Sequence, residues 1–203
     1  MFHIKIYFAL FFHNIAFFMS MFFFIQYSIV RKKEHLHYAV YLLTLFIYYF
    51  LAMPDLFIPM NEANSSFIAS MGIFKRPVQF LSSVFYTFFV IYYLGLDTTS
   101  PKLKKFFRML IGGYLFFSAT CLALNLLNIK YDYFYFIISL LLFPVQLTVV
   151  TALLKHKVPY ARFVIWGTIV VIIGSIIALG YTMYGPHVTL LERIQIFLPA
   201  QAC

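Results

Sequence analysis

Residues 6–30 read IYFALFFHNIAFFMSMFFFIQYSIV, a stretch from Ile6 to Val30 without one charged side chain. About 25 residues at 1.5 Å each cross ~30 Å of hydrocarbon. Lys5 precedes the run, as in a signal peptide. The run is too long for that, however, and no small-x-small cleavage site closes it, so an uncleaved membrane helix is expected.

The rest of the chain repeats the pattern. The turn Arg31-Lys32-Lys33-Glu34-His35 leads into a second apolar segment, 38–53, stopped by Pro54 and Asp55. Pro54 to Gly72 mixes two prolines with Asp55 and Glu62 and reads as an extramembranous loop with room for a short interfacial helix. Lys75-Arg76-Pro77 then opens a third span over 78–96, and Asp97-Thr98-Thr99-Ser100-Pro101 closes it with turn chemistry. Further spans are expected over 109–127, 133–154 and 163–184, with 188–203 as a partial or interfacial segment. The fold class expected is an all-α polytopic transmembrane helix bundle of six spans plus a partial seventh, all in one domain, 1–203.

Composition agrees. The chain is 64% hydrophobic and 22% aromatic, with 10% charged residues against ~25% in an ordinary soluble domain. Too little polar surface remains to cover a water-soluble globule. The net charge of +9 is confined to short clusters between apolar runs, so it reads as orientation and contact with the lipid bilayer, and direct binding of nucleic acid is not expected. The turns after spans one, three and five carry ten basic residues: Arg31, Lys32, Lys33, Lys102, Lys104, Lys105, Arg108, Lys155, Lys157 and Arg162. The other side has five: Lys5, Lys75, Arg76, Lys130 and Arg193. The excess places these ten in the cytoplasm, as contacts for lipid heads or a signalling protein, and the N-terminus outside a cell membrane.

No catalytic motif appears, and neither an enzyme nor a cofactor is expected. Paired-His zinc motifs, nucleophile elbows and phosphate-binding Gly-rich loops are absent, and Cys121 and Cys203 form neither a disulfide framework nor a metal set. Polar residues within the spans fall on stripes. Gln79, Ser82, Ser83 and Tyr86 share one helix face that Arg76 extends; Ser118, Cys121 and Asn125 share another; His13 and Ser20 share a third, with Asn14 beside them. Two readings stay open. Helix packing through polar bonds, worth about 0.6 to 2 kcal/mol each, is the default. The other is a pocket open to the outside, with His13, Asn14, Arg76, Gln79, Tyr86 and Asn125 as candidate ligand or packing residues. In span six Gly174 and Ala178, with Gly167 one heptad earlier, would let another helix approach closely.

The stretch FLSSVFYTFFVIYYLGLDTTSPKLKKFFRML, Phe80 to Leu110, resembles the corresponding region of the bacterial seven-transmembrane receptors with diverse intracellular signalling modules. The likeness rests on Tyr86, Phe89, Leu96-Asp97, Pro101 and the basic stretch Lys102 to Arg108, and on the turn Arg31 to Glu34 followed by Tyr38 and Tyr41. It implies a receptor core that passes an extracellular stimulus from an unknown ligand to a cytoplasmic histidine kinase or DNA-binding output module. Members carry a sensory domain before span one and an output module after span seven. The expectation here is therefore a membrane core in truncated form. A small transporter or channel subunit is the alternative, expected to show a wet path along the same polar stripes, with Pro144 as a kink. A lipid-modifying enzyme would need a clustered nucleophile, base or metal set that the sequence lacks.

Overall fold

The computed structural model describes residues 2–54, 57–58, 62–129, 131–155, 160–169 and 173. Among them the regular structure is helical. Helix α1 is Phe2–Val30, α2 Lys33–Ala52, α3 Glu62–Tyr93, α4 Leu96–Thr99, α5 Pro101–Leu126 and α6 Asp132–Lys155, and residues 161–169 are helical as well. The expected partial segment 188–203, most of span six, Lys157 and the pair Gly174 and Ala178 lie outside the described residues.

Principal packing follows chain order: α1 on α2, α2 on α3, α3 on α5. Helix α3 is thus the spine, and α6 and residues 161–169 close over it through a core that joins Val84, Phe107, Ile138, Leu153 and Val164. Small side chains set the α1–α2 contact. The Ser20 hydroxyl donates to the Ala39 carbonyl at 2.8 Å, and both residues are fully buried.

Among the described residues three helical stretches, Leu10–Val30, Lys33–Ala52 and Pro101–Leu126, are long and apolar enough to cross a membrane. Side-chain placement agrees with that use. Phe18, Phe116, Phe163 and Trp166 are about two-thirds exposed, while Ser20, Gln79, Ser82, Ser83, Thr87 and Gln146 are buried. A chain folded in water does the opposite; helices in lipid turn polar groups toward one another.

The expected loop over Pro54 to Gly72 needs correction, because helix α3 begins at Glu62 and runs without a break through Lys75, Arg76 and Pro77. Serine does not stop it. Ser70 donates to the Ser66 carbonyl at 2.8 Å, so the hydroxyl is satisfied inside the helix. Nor does Pro77, which has no N–H to donate to the carbonyl four residues back, that of Ile73. Asn125 of α5 supplies the missing hydrogen, its Nδ2 donating to the Ile73 oxygen at 2.6 Å, and Ser118 of α5 donates to the Pro77 carbonyl at 2.9 Å. A neighbouring helix repairs the ladder that proline breaks, as membrane helices permit.

The expected turn at Asp97 to Pro101 is a tight corner. Gly95 sits at φ 56, a left-handed conformation that suits a residue without Cβ, and the single turn α4 follows. Proline then opens α5, where its missing N–H costs nothing. The basic residues Lys102 to Arg108 therefore stand on the first turns of α5, not in a loop.

Candidate functional site

Two polar assemblies lie along α3, one at its middle around Gln79 and one at its C-terminal end around Tyr92, separated by about 20 Å of helix. The first is built around the Pro77 break. Gln79 is buried, and its Oε1 accepts a hydrogen bond from the Tyr135 hydroxyl of α6 at 2.8 Å. One turn earlier the Arg76 guanidinium lies over two rings, 4.5 Å from the Tyr135 centroid and 4.7 Å from that of Tyr131. Burial pushes the Tyr131 phenol above its usual pKa, and the adjacent Arg76 acts in the opposite direction. The result is a junction joining α3, α5 and the start of α6 through one planar cation and several hydroxyl and amide groups.

Toward the middle of the bundle, the same face of α3 borders a cavity of about 40 Å³ lined by Ser83, Tyr86, Thr87, Tyr114, Gln146 and Thr168 among others. Thr87 and Thr168 spend their hydroxyl hydrogens on the carbonyls of Ser83 and Val164, at 2.7 and 2.8 Å.

The second assembly forms where the α1–α2 turn meets the α3–α4–α5 corner. The Lys104 ammonium pairs with the Asp97 carboxylate. That hydrogen bond holds the Asp97 carboxyl below the usual carboxylate range, with Arg108 and Lys33 adding to the effect. Lys33 also stands over the Tyr92 ring, 5.7 Å from its centroid, and His37, one turn along α2, stacks on Tyr92 at 4.9 Å and on Phe88 at 5.1 Å. The turns after spans one and three therefore share one end of the bundle.

Of the candidate residues, the structure gathers Arg76, Gln79 and Asn125. The α5 stripe of Ser118, Cys121 and Asn125 faces the α3 stripe across the Pro77 break, with Cys121 fully buried. Tyr86 lines the cavity and packs on Tyr41 of α2, ring centroids 5.2 Å apart. His13 is elsewhere: its ring is buried against Phe46 at 4.0 Å and Phe57 at 4.6 Å. Asn14 is exposed on α1. Arg31, Lys32, Lys33, Lys102, Lys105, Arg108, Lys155 and Arg162 are exposed. Tyr131, Tyr135 and Gln146 escaped the sequence reading. In a chain with 16 Tyr, nothing local distinguishes the two that stack on Arg76. No group of three or more metal-ligating side chains occurs among the described residues.

A domain whose described residues are helical, with large apolar side chains on its outer faces, polar side chains buried between the helices and a cluster of cations at one end, is a membrane-embedded bundle. Residues 5–198 match the family described as 7TM diverse intracellular signalling, and the chain belongs to that family. It is thus a membrane receptor domain of a family linked to intracellular signalling. No curated protein and no solved structure matches the chain.

Proposed function

We propose that this chain is the membrane core of a sensory receptor, which takes an extracellular stimulus at the Arg76, Gln79 and Asn125 junction and passes it along α3 to the basic end. In this reading the chain has six spans and a partial seventh, with the N-terminus outside a cell membrane and the basic turns in the cytoplasm, which the ten-to-five division of basic residues supports. There a histidine kinase or DNA-binding output module reads the change. The chain itself carries out no covalent step, takes no cofactor and does not touch nucleic acid.

The observation that carries this reading is the repaired break in α3. Helix α3 runs on through Pro77 with the Ile73 carbonyl held by Asn125 of another helix, and on this reading that bond is made in one signalling state and released in the other. Transmission needs such an element, since a ligand acts only by favouring one of two states. Helix α3 also joins the two polar assemblies directly.

The test uses the intact protein in proteoliposomes and in cells, as wild type and as Gln79→Leu and Asn125→Leu. The expected result is no solute flux from any form and an altered transcript profile from cells carrying the variants. Flux through the wild type that falls in the folded variants would make the chain a transporter or channel subunit and sink the receptor reading.

A further inference from the structure

We propose that the cationic patch where the α1–α2 turn meets the α4–α5 corner is a binding site for the phosphate of an anionic phospholipid. Cations from two helices flank one carboxylate there: Lys104 of α5 pairs with Asp97, Lys33 of α2 stands over the neighbouring Tyr92 ring, and Arg108 lies one turn along α5 from Lys104, the charges of Lys33 and Arg108 both reaching the same carboxylate. The internal carboxylate marks where an anionic oxygen group is stabilised, yet it answers only one of three charges. Over the wider patch, the Arg31–Lys33 turn and Lys102–Arg108 carry seven cations against two carboxylates, Glu34 and Asp97.

Geometry selects the class of anion. Arg108 is exposed and offers a planar fork suited to two phosphate oxygens, while Lys33, held over Tyr92, supplies a point charge. The surroundings select a lipid over a soluble anion. Ile29 and Val30 at the end of α1 are 72% and 43% exposed, and Met109, next to Arg108, is 65% exposed. Apolar side chains thus continue from the cations along α1 and α5, two stretches long and apolar enough to cross a membrane, where acyl chains would lie. A phosphate seated among the cations leaves its two tails against these residues. The site does not depend on which side of the membrane this end faces, so it stands or falls apart from the receptor reading.

Lipid retention by the intact protein tests the site, with native mass spectrometry after reconstitution in phosphatidylcholine containing phosphatidylglycerol. Lys33→Gln with Arg108→Gln is expected to lower retention of phosphatidylglycerol about twenty-five-fold, near fivefold for each cation removed. Lys102→Gln with Lys105→Gln, which removes equal charge from the first turns of α5, is expected to have a smaller effect. Equal losses from both pairs would mean a diffuse potential and overturn the site. Asp97→Asn, which frees the three cations from their internal anion, is expected to raise retention; unchanged or lower retention counts against the proposal. Excess inorganic phosphate is expected to leave the lipid bound, and displacement by phosphate alone would assign the patch to a soluble anion. Thermal midpoints close to wild type for all variants, whose altered side chains lie at the surface, exclude unfolding as the cause.

Discussion

The side-chain amide of Asn125 donates to the carbonyl of Ile73, the one backbone oxygen that Pro77 leaves without its usual helical partner. A residue in α5 thereby completes the hydrogen bonding of α3. Asn125→Leu is expected to destabilise the protein by about 1 to 2 kcal/mol. In a Pro77→Ala background the same change should cost much less, because residue 77 then donates to Ile73 itself. Thermal unfolding of the four forms in detergent gives the coupling. Equal costs in both backgrounds would show that the bond does not compensate for proline.

Tyr135 both carries the Arg76 cation on its ring and donates to Gln79. Tyr135→Phe keeps the ring and loses the hydroxyl, at an expected cost of about 0.5 to 1.5 kcal/mol. Arg76→Lys keeps the charge but loses the planar stack on two rings, and is expected to cost as much or more. Denaturation midpoints check both, and an Arg76→Lys protein as stable as wild type would remove the stacking argument.

Gly95 occupies the left-handed region at φ 56, with ordinary room for a Cβ beside it. Gly95→Ala is therefore expected to lose about 1 kcal/mol through backbone conformation, not through a clash. A crystal or cryo-electron structure of the variant with the corner unchanged and a lowered unfolding midpoint would agree.

Because Lys104 depresses the Asp97 pKa in the folded chain, this ion pair stabilises above the unfolded carboxylate value of about 4. Its contribution disappears as pH falls through the lower folded value. Asp97→Asn should accordingly reduce the difference in unfolding midpoint between neutral and strongly acidic solution, and added salt should shrink the effect, since Asp97 is exposed. A midpoint difference identical to wild type would detach this pair from the acid response.

Long uncharged runs made α1 and α6 legible from sequence, as the expected spans 6–30 and 133–154 fall inside Phe2–Val30 and Asp132–Lys155. The first half of α3 was not legible. Pro77 punctuates a sequence read locally, and what cancels its effect sits on Asn125 and Ser118, about forty and more residues away. The stripe of Arg76, Gln79, Ser82 and Ser83 could be read because helical spacing shows which residues share a face. Periodicity cannot say which helix that face meets. His13 was grouped with it on polarity alone, but α1 lies on α2, so the imidazole meets Phe46 instead.

The order of packing, α1 on α2, α2 on α3 and α3 on α5, bears on how the chain is made. Each of these helices finds its principal neighbour among those already synthesised, so a growing chain can settle into the bilayer step by step without holding a hydrophobic face in reserve for a distant partner. The bond from Asn125 comes late in that sequence. Until α5 arrives, α3 must wait with the Ile73 carbonyl uncompensated, which makes the arrival of α5 the step that fixes the shape of the helix synthesised before it.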